Sequence, residues 1–420
     1  MCVSTGLFLF RVYVFALIIK SSHFPAERAE MFSAPPDVEV TEAPWQEHAV
    51  VRVLTVITLL YLFLVGVNGL GSGFRALGEG VLESFFAATE NPFIGLMVGI
   101  LATTLVQSSS VTTSMIVGLV AAPLNPIPIA NAVPMIMGAN IGTTVTNTLA
   151  SMAHMGRKEE FRRAFAVATV HDFFNYLAVL VLLPLEIMTG VLRKTATALA
   201  GFLGGFGGAD YDSPIKLAIK AGGVPIEGAL AMLLPSERLI AVGYIVVSGL
   251  MIFLTLVSIV KVMRSSMQTK MEALVSRALA KNAVIAIIVG AIATIMVQSS
   301  SITTSLMVPL AGAGVLTLRQ AFPVTLGANL GTTVTALLAA MAVTDTNAQA
   351  GLTIALVHLL FNLAGTALIY PFGPIRNIPL RAASGLADIA TESKRWAVVY
   401  VVGLFYGIPV LFAVLNELLT

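Results

Sequence analysis

The sequence Gln107-Ser-Ser-Ser-Val-Thr-Thr-Ser114 recurs as Gln298-Ser-Ser-Ser-Ile-Thr-Thr-Ser305 within a chain of 420 residues. A second motif follows each copy, first as Gly138-Ala-Asn-Ile-Gly-Thr-Thr-Val-Thr146 and then as Gly327-Ala-Asn-Leu-Gly-Thr-Thr-Val-Thr335. The order and the spacing of the two motifs match to within a few residues. The sequence therefore predicts a duplicated structural unit.

The composition around these motifs is that of a membrane protein. Hydrophobic residues make up 57% of the chain and charged residues only 11%, whereas soluble domains carry about 25% charged residues. The mean hydropathy is +0.91. A formal net charge of +2 is too small to indicate a nucleic-acid partner. The single cysteine, Cys2, excludes a disulfide within the chain.

The apolar segments are of two kinds. A spanning helix needs about 20 mostly apolar residues. Uninterrupted stretches of this length lie at residues 50–70, 161–188, 239–262, 351–370 and 397–416. Stretches interrupted by the duplicated motifs lie at residues 92–122, 128–152, 282–315 and 318–341. Because unwound backbone inside a membrane is tolerated only where it lines a cavity, these interruptions indicate a binding site.

Basic residues predict the orientation of the segments. Basic loops remain in the cytoplasm, and the loop at residues 344–349 has no basic residue. The three basic loops lie on one side of the membrane only if each Gln-Ser-Ser-Ser segment is a re-entrant hairpin that returns to the side from which it entered. Each half then crosses the membrane three times. Because three is an odd number, the second half is inverted relative to the first. These loops carry Arg157, Lys158, Arg162 and Arg163; Lys261, Arg264, Lys270, Arg277 and Lys281; and Arg376, Arg381, Lys394 and Arg395.

The predicted fold is an all-α polytopic membrane protein of two inverted repeats, each with a re-entrant helical hairpin and a broken transmembrane helix. The expected parts are an N-terminal tail (1–48), a first repeat (49–188), an extracytoplasmic linker (189–237), a second repeat (238–371), and a cytoplasmic loop with a final transmembrane helix (372–420). Met31 is an alternative translation start. The N-terminus is expected in the cytoplasm of the cell if residues 1–30 do not span its inner or plasma membrane.

The Gln-Ser-Ser-Ser turns have the chemistry of an anion site. If each hairpin breaks at the serines, the second half-helix begins near Ser110, and its free backbone N–H groups and positive dipole end point into the cavity. Single Ser and Thr residues in membrane helices usually pack or bond back to the backbone, but two copies of an eight-residue motif favour a site. The candidate residues are Ser108, Ser109, Ser110, Thr112, Thr113, Ser299, Ser300, Ser301 and Thr303.

The same turns and the second motif supply oxygen ligands for a hard cation. The glycines of the second motif also fit close helix packing, and both roles can coexist. The asparagine and threonines of that motif favour a broken helix lined with oxygen atoms. The candidate residues in these motifs are Gln107, Asn140, Thr143, Thr146, Gln298, Ser299, Asn329, Thr332 and Thr335.

Asp172 is the acidic residue in the interior of a predicted crossing, within Val170-His-Asp-Phe-Phe-Asn175. A carboxylate inside the membrane is costly and is therefore interpreted as functional. Asn175 lies three positions further on the same helix face, and the two residues predict a cation site. An ion pair with His171 and a proton relay are the alternatives. His358 repeats His171 without an adjacent acid, and is interpreted as a structural histidine with satisfied hydrogen bonds.

These motifs, together with Glu160-Phe-Arg-Arg-Ala-Phe-Ala-Val-Ala-Thr-Val-His-Asp-Phe-Phe-Asn175, resemble the type II sodium–phosphate cotransporter family from about residue 50 to the C-terminus. The resemblance implies inorganic phosphate as the substrate, bound by the serine turns, and sodium as the driving ion. It implies one sodium at Gln298, Ser299, Thr332 and Thr335, and another at Asp172 and Asn175. Electrogenic members have Asp at the position of Asp172, and Ala166 and Ala168 also match them.

Secondary active symport by alternating access is the expected function, with phosphate, sodium and the lipid bilayer as partners. Sodium is the expected metal, and no cofactor is expected. The alternatives are transport of another oxyanion such as sulfate or a dicarboxylate, a passive channel, and an intramembrane serine hydrolase built on Ser109, His171 and Asp172. The sequence has no Gly-x-Ser-x-Gly elbow and no Walker loop, so neither an enzyme nor an ATP-driven pump is expected.

Overall fold

The computed structural model describes residues 49–77, 89–122, 126–206, 214–279, 282–343 and 347–419. The predicted tail at residues 1–48, with Met31, lies outside the described residues. All regular elements within the described ranges are helices. All of these residues except Ala49 belong to one compact unit, Val50–Thr420.

The first half and the predicted linker supply eight α-helices to the described part of the chain. In the first half they are α1 (Ala49–Leu77), α2 (Pro92–Val106), α3 (Ser109–Val120), α4 (Ile129–Gly142), α5 (Val145–Ser151) and α6 (Lys158–Thr189). The linker region contains α7 (Val191–Phe206) and α8 (Pro214–Leu233). The linker is therefore largely helical where it is described.

The second half begins with a long helix and ends with a composite one. Its helices are α9 (Glu237–Leu279), α10 (Ala283–Val297), α11 (Ser300–Ser305), α12 (Met307–Gly312), α13 (Leu318–Ala342) and α14 (Ala348–Ile369). After these come α15 (Gly373–Glu392), α16 (Arg395–Val402), a π-helical segment (Gly403–Gly407) and α17 (Ile408–Leu419).

Six helical stretches in the described ranges are long and apolar enough to cross a membrane: Val50–Leu70, Lys158–Thr189, Glu237–Ile259, Leu318–Ala342, Ala348–Ile369 and Arg395–Asn416. Five of these confirm the uninterrupted spans predicted from the sequence. The protein is therefore an all-α, multi-pass membrane protein. The prediction of loops at the second and third basic segments is wrong in part, because Lys261 to Arg277 lie in α9 and Arg376 and Arg381 lie in α15. The side of the membrane on which the basic segments lie and the inversion of the second half stay predictions.

Both predicted hairpin breaks are present. Helix α2 ends at Val106 and α3 begins at Ser109, while α10 ends at Val297 and α11 begins at Ser300. The turn between the two arms is Gln-Ser in each copy. The second hairpin has an additional break at Leu306, which separates α11 from α12.

The prediction of a broken helix is correct in the first half and wrong in the second. Helix α4 ends at Gly142 and α5 begins at Val145, so the break falls at the two threonines that follow the glycine. In the second half α13 runs unbroken through the same motif. Two polar residues that follow the first motif, Asn147 and Thr148, bond to Thr304 and Asp172 outside their own helix.

The residues that follow the second motif at the equivalent positions are Ala336 and Leu337. Neither side chain offers a hydrogen bond that could draw the backbone out of the regular helix. Ala336 is wholly buried in the main apolar core. The motif is shared by both halves, so the difference between the broken helix and α13 coincides with the absence of these two polar residues in α13.

Glycines of the second motif allow close packing between its helices, α4 and α13 (the motif helices), and the first helix of each hairpin, α2 and α10 (the hairpin arms). A Cβ atom at Gly138 would overlap the backbone of Leu96 in α2, and one at Gly327 would overlap the backbone of Ile287 in α10. Only glycine permits an approach this close. The predicted packing role of the second motif is therefore confirmed in both halves.

Candidate substrate and ion site

The two turns of the hairpins have the same strained conformation. Gln107 has φ +58° and Gln298 has φ +55°, and no other non-glycine residue of the described chain has a positive φ. The left-handed conformation costs a residue with a Cβ atom about 1–2 kcal/mol. Because glycine would avoid that cost, the presence of glutamine at both turns makes its side chain a candidate for a functional role.

A serine caps the helix that follows each turn. Ser108 Oγ accepts a hydrogen bond from the backbone N–H of Val111 at 3.3 Å, and Ser299 Oγ accepts one from Ile302 at 3.4 Å. One donor of each helix start is therefore already occupied. In α3 the backbone N–H groups of Ser109 and Ser110 have no intrahelical acceptor, because they are the first two of the helix. Those N–H groups are the donors that the α3 helix start leaves available.

Each glutamine side chain meets the last threonine of the second motif. Thr146 donates its hydroxyl hydrogen to Gln107 Oε1 at 3.0 Å, and Thr335 donates to Gln298 Oε1 at 2.9 Å. Carbonyl and hydroxyl oxygens are the ligand types of hard cations. The structure thus brings together one pair of predicted sodium ligands in each half.

Each hairpin also contacts the other half of the molecule. Ser110 Oγ and Thr335 Oγ1 are 3.5 Å apart, a long contact in which Ser110 is the donor. Thr304 donates to Asn147 Oδ1 at 2.9 Å. The serine turn of the first half therefore lies next to a predicted sodium ligand of the second half, and the second hairpin reaches α5 of the first.

One of the two glutamine–threonine pairs lies at a cavity. Gln298 and Thr335 form the polar part of the wall of a cavity of about 270 Å³. The other lining side chains are apolar and come from α1, α9, α10 and α13: Val56, Leu60, Phe63, Leu256, Ile259, Ile295, Met296 and Leu338. A small ligand in this cavity would meet these two oxygen-bearing side chains.

A buried network of amide side chains crosses between the halves. Asn329 donates to Asn175 Oδ1 at 2.9 Å, and Asn175 donates to the backbone oxygen of Asn140 at 2.9 Å. Asn362 donates to Asn140 Oδ1 at 3.3 Å. His171 Nε2 pairs with Asn329 Oδ1. All five side chains are buried, and they join α4 and α6 of the first half to α13 and α14 of the second.

The duplicated motifs match a known family. A family model described as Na+/Pi-cotransporter matches residues 62–208 and 250–373, which include both hairpins, both second motifs and Asp172. The chain belongs to the Na+/Pi-cotransporter family. The final span, Arg395–Asn416, lies outside the residues that the family model matches.

Curated relatives of this cotransporter-family chain are sodium-dependent phosphate transport proteins. Protein 2B of Homo sapiens is 32% identical over 445 aligned positions, which cover 85% of this chain and 64% of that protein. Protein 2A of Mus musculus is 35% identical and is covered to 66%, and protein 2A of Rattus norvegicus is 33% identical and is covered to 71%. The chain thus spans somewhat less than two thirds of the length of the 2B relative. No solved structure matches it.

Asp172 of this cotransporter-family chain is wholly buried on α6. Its Oδ2 accepts hydrogen bonds from the Tyr400 hydroxyl at 2.7 Å and from Thr148 Oγ1 at 3.4 Å. Its Oδ1 has no hydrogen-bond partner of good geometry among the described residues, although the Thr144 hydroxyl also interacts with the carboxylate. The alternative of an ion pair with His171 is not what the structure contains, because the partner of His171 is Asn329.

Several predicted site residues make only local hydrogen bonds. Thr112, Thr113, Thr143 and Thr332 bond back to carbonyls of their own helices or turns, and Thr303 bonds to Ser299 O and accepts from Thr294. Ser109 and Ser300 are buried at the starts of α3 and α11, and Ser301 is partly buried beside Ser300. Within the described ranges, these residues have no hydrogen-bond partner from the other half.

The interpretation of His358 as a satisfied histidine is wrong. The side chain is wholly buried on α14, and neither ring nitrogen has a hydrogen-bond partner in the described part of the chain. The reason lies in the motif helices: Asn329 turns its oxygen to His171, whereas Asn140, its counterpart, turns its oxygen to Asn362. The duplicated histidines are therefore not equivalent.

Four residues of the site were not predicted. Asn147 and Thr148 directly extend the polar run of the first motif, and Asn362 ends Val357-His-Leu-Leu-Phe-Asn362, which repeats Val170–Asn175 in the second half. The sequence therefore contained an indication for all three. Tyr400 carried none, because a single tyrosine in an apolar span is ordinary at a membrane interface. Only its hydrogen bond to Asp172 identifies Tyr400 as part of the candidate site.

Proposed function

We propose that this protein is a symporter that couples inward movement of sodium to uptake of inorganic phosphate across the cell membrane. The relatives are sodium-dependent phosphate transport proteins by name, and the family model covers both copies of the motif. The single observation that carries the proposal is the contact between Ser110 and Thr335, because it connects an anion-type turn to a cation-type pair from the other half.

The proposed coupling follows from the hydrogen bonds of Thr335. With Gln298 Oε1 accepting from the Thr335 hydroxyl, the two oxygens satisfy each other. A sodium ion between them would require the hydroxyl to turn its hydrogen away and present its oxygen. That rotation would reach Ser110, which contacts the same hydroxyl. Sodium would thus change the donors offered to phosphate at the serine turn, which is a route to coupled binding.

Phosphate is a suitable ligand for the turns because neutral donors bind it without a fixed positive charge. The N–H groups at the start of α3 and the serine hydroxyls can all donate to an oxyanion. Release in every cycle favours such a site over an arginine clamp. Sulfate or a dicarboxylate would use the same donors, and competition during uptake separates these substrates from phosphate.

The contacts of both hairpins with the other half suit alternating access. Each hairpin contacts the other half, at Ser110–Thr335 and Thr304–Asn147. A rocking movement of one half against the other would break and remake these contacts around a fixed site, as in other transporters built from repeats. Asp172 would add a further cation to the cycle and make transport electrogenic.

The test is uptake of radiolabelled phosphate into proteoliposomes that contain the full chain. An inward sodium gradient should drive accumulation, and equal potassium or proton gradients should not. Flux that proceeds down a phosphate gradient without sodium would support a channel and contradict the proposal. Hydrolysis is not favoured, because His171 pairs with Asn329 rather than with Ser109 or Asp172.

Bulky substitutions test the location of the phosphate site. Ser109→Phe or Ser300→Phe should abolish uptake, because both serines are buried at the helix starts where the proposed donors lie. The matched control is Ser384→Phe in α15, where the side chain is only partly buried and remote in sequence from both turns. Wild-type uptake by correctly assembled Ser109 and Ser300 variants would contradict the site.

A further inference from the structure

The last transmembrane segment supplies a partner to the buried carboxylate. Tyr400 lies on α16 and donates its hydroxyl hydrogen to Asp172 Oδ2 at 2.7 Å, the shorter of the two bonds to that oxygen. The two residues are 228 positions apart in the chain. Residue 400 lies outside both repeats and outside the residues that the family model matches.

The tyrosine ring is fixed by aromatic neighbours. Its centroid lies 6.5 Å from that of Phe165, 6.3 Å from Phe173 and 6.1 Å from Phe405. Phe405 is wholly buried and belongs to the π-helical segment Gly403–Gly407. Such segments are rare and are frequent at functional sites. The ring therefore has little freedom, and its hydroxyl is held against the carboxylate.

The Tyr400 hydroxyl is a neutral donor, so it leaves the negative charge of Asp172 in place. Lys or Arg at this position would neutralise Asp172 and remove its attraction for a mobile cation. A phenol hydroxyl stabilises the carboxylate without cancelling its charge. Tyr400 and Thr148 both bond to Oδ2, whereas Oδ1 has no partner of good geometry in the described chain. The Thr144 hydroxyl, which also interacts with the carboxylate, adds a neutral oxygen beside it and no charge.

We infer that Tyr400 is a positioning residue for the cation that Asp172 takes. The hydroxyl holds Oδ2, so that Oδ1 is presented to the ion. The inference rests on the proposed sodium-coupled function and extends it, because it makes the final helix part of the cation site. Without the hydroxyl, the carboxylate can rotate, and sodium must first order it.

The experiment uses the purified full chain and follows thermal unfolding as sodium is added without phosphate. Tyr400→Phe keeps the ring and removes only the hydroxyl. It should raise the sodium concentration for half-maximal stabilisation about ten- to a hundredfold, the range expected when one hydrogen bond to a charged group is lost. The matched control is Tyr61→Phe, which removes a hydroxyl that donates to the Ala218 carbonyl at 2.9 Å on a different helix pair.

A double substitution separates positioning from general packing. In an Asp172→Asn background, Tyr400→Phe should cause no further change in the sodium midpoint, because its effect acts through the carboxylate. A purely structural tyrosine would lower the unfolding temperature without sodium and leave the midpoint unchanged. An unchanged midpoint in Tyr400→Phe, or shifts of equal size in the wild-type and the Asp172→Asn backgrounds, would overturn the inference.

The inference and the proposed function can fail separately. If wild-type proteoliposomes accumulate phosphate with sodium while Tyr400→Phe has the wild-type sodium midpoint, only the inference is wrong. If the wild type shows no sodium-dependent uptake, the proposed function is wrong. If Tyr400→Phe still raised the sodium concentration for half-maximal stabilisation in that case, the cation site at Asp172 would remain supported without the transport function.

Discussion

At the scale of single residues, the duplicated side chains differ in what they contact. Gln107 and Gln298 are alike: both have a positive φ, and both accept a hydrogen bond from a motif threonine. His171 and His358 differ, because only His171 has a described hydrogen-bond partner. Identity of sequence between the repeats therefore does not guarantee identity of environment.

Two substitutions at Gln298 separate strain from ligand binding. Gln298→Ala and Gln298→Gly both remove the side-chain carbonyl, and both should raise the sodium concentration for half-maximal uptake about tenfold, more than they raise that for phosphate. The glycine variant should also be more stable than the alanine variant by about 1 kcal/mol, because glycine tolerates a positive φ. An effect on phosphate alone would show that the ligand was misassigned. Gln349→Ala, at an exposed position, is the control for loss of a glutamine.

The histidine pair gives a second residue-scale prediction. His171→Leu leaves the Asn329 oxygen without its donor and should destabilise the protein by about 1–3 kcal/mol. His358→Leu removes two buried nitrogens that have no described partner, and should be close to neutral or stabilising. Thermal unfolding of the two variants in the same detergent measures the difference. Equal losses of stability would contradict the non-equivalence of the two histidines.

At the scale of elements, close packing between a motif helix and a hairpin arm fixes the site. Helices α4 and α13 pack against α2 and α10 at glycines, and the glutamine at the end of each hairpin arm is thereby placed beside the threonine of the adjacent motif.

The linker helix α7 is joined to α6 by a glycine turn and a buried glutamate. Gly190, with φ +64°, ends α6, and the buried Glu186 accepts from the backbone N–H of Leu192 at 2.7 Å.

Glycine-to-alanine substitutions test this packing. Gly327→Ala places a Cβ atom against the backbone of Ile287 and should separate α10 from α13, with a large loss of folded protein. Gly385→Ala on α15 is the matched control, since nothing lies within 4 Å of its Cβ position. Alanine there should be neutral or stabilise the helix by up to about 1 kcal/mol. The yield of folded protein in detergent and its unfolding temperature are the measurements. If Gly327→Ala left both at wild-type values, the packing argument would be wrong.

At the scale of the whole molecule, the repeats leave one charge without a counterpart. Asp172 occupies the position that Leu359 occupies in the second half. Among the described residues, the site between the halves therefore contains a single buried carboxylate, surrounded by neutral hydroxyl and amide groups. If sodium binds this carboxylate during transport, we expect Asp172 to change the net charge carried by each transport cycle.

The expected consequence is an inward current. Divalent phosphate with two sodium ions is neutral, and a third sodium recruited by Asp172 gives one net positive charge per cycle. A potential of 100 mV would then contribute about 2.3 kcal/mol, or about fifty-fold in accumulation. Phosphate added to the wild type should produce current, and Asp172→Gly should transport without current. If an inside-negative potassium diffusion potential left wild-type uptake unchanged, the assignment would be wrong.

The sequence alone determined that this is a helical membrane protein with a duplicated core, because hydropathy and repeated motifs are properties of the chain itself. It also placed both hairpin turns, since Gln-Ser-Ser-Ser interrupts otherwise apolar segments. The tertiary structure decided three things that depend on distant partners: that α13 is unbroken, that His358 lacks the partner of His171, and that Tyr400 reaches Asp172. The contact of Tyr400 and the missing partner of His358 depend on which helices become neighbours, which the local sequence does not show. The difference between α13 and the broken first-half helix depends on partners in other helices, because Asn147 and Thr148 bond to such partners whereas Ala336 and Leu337 cannot.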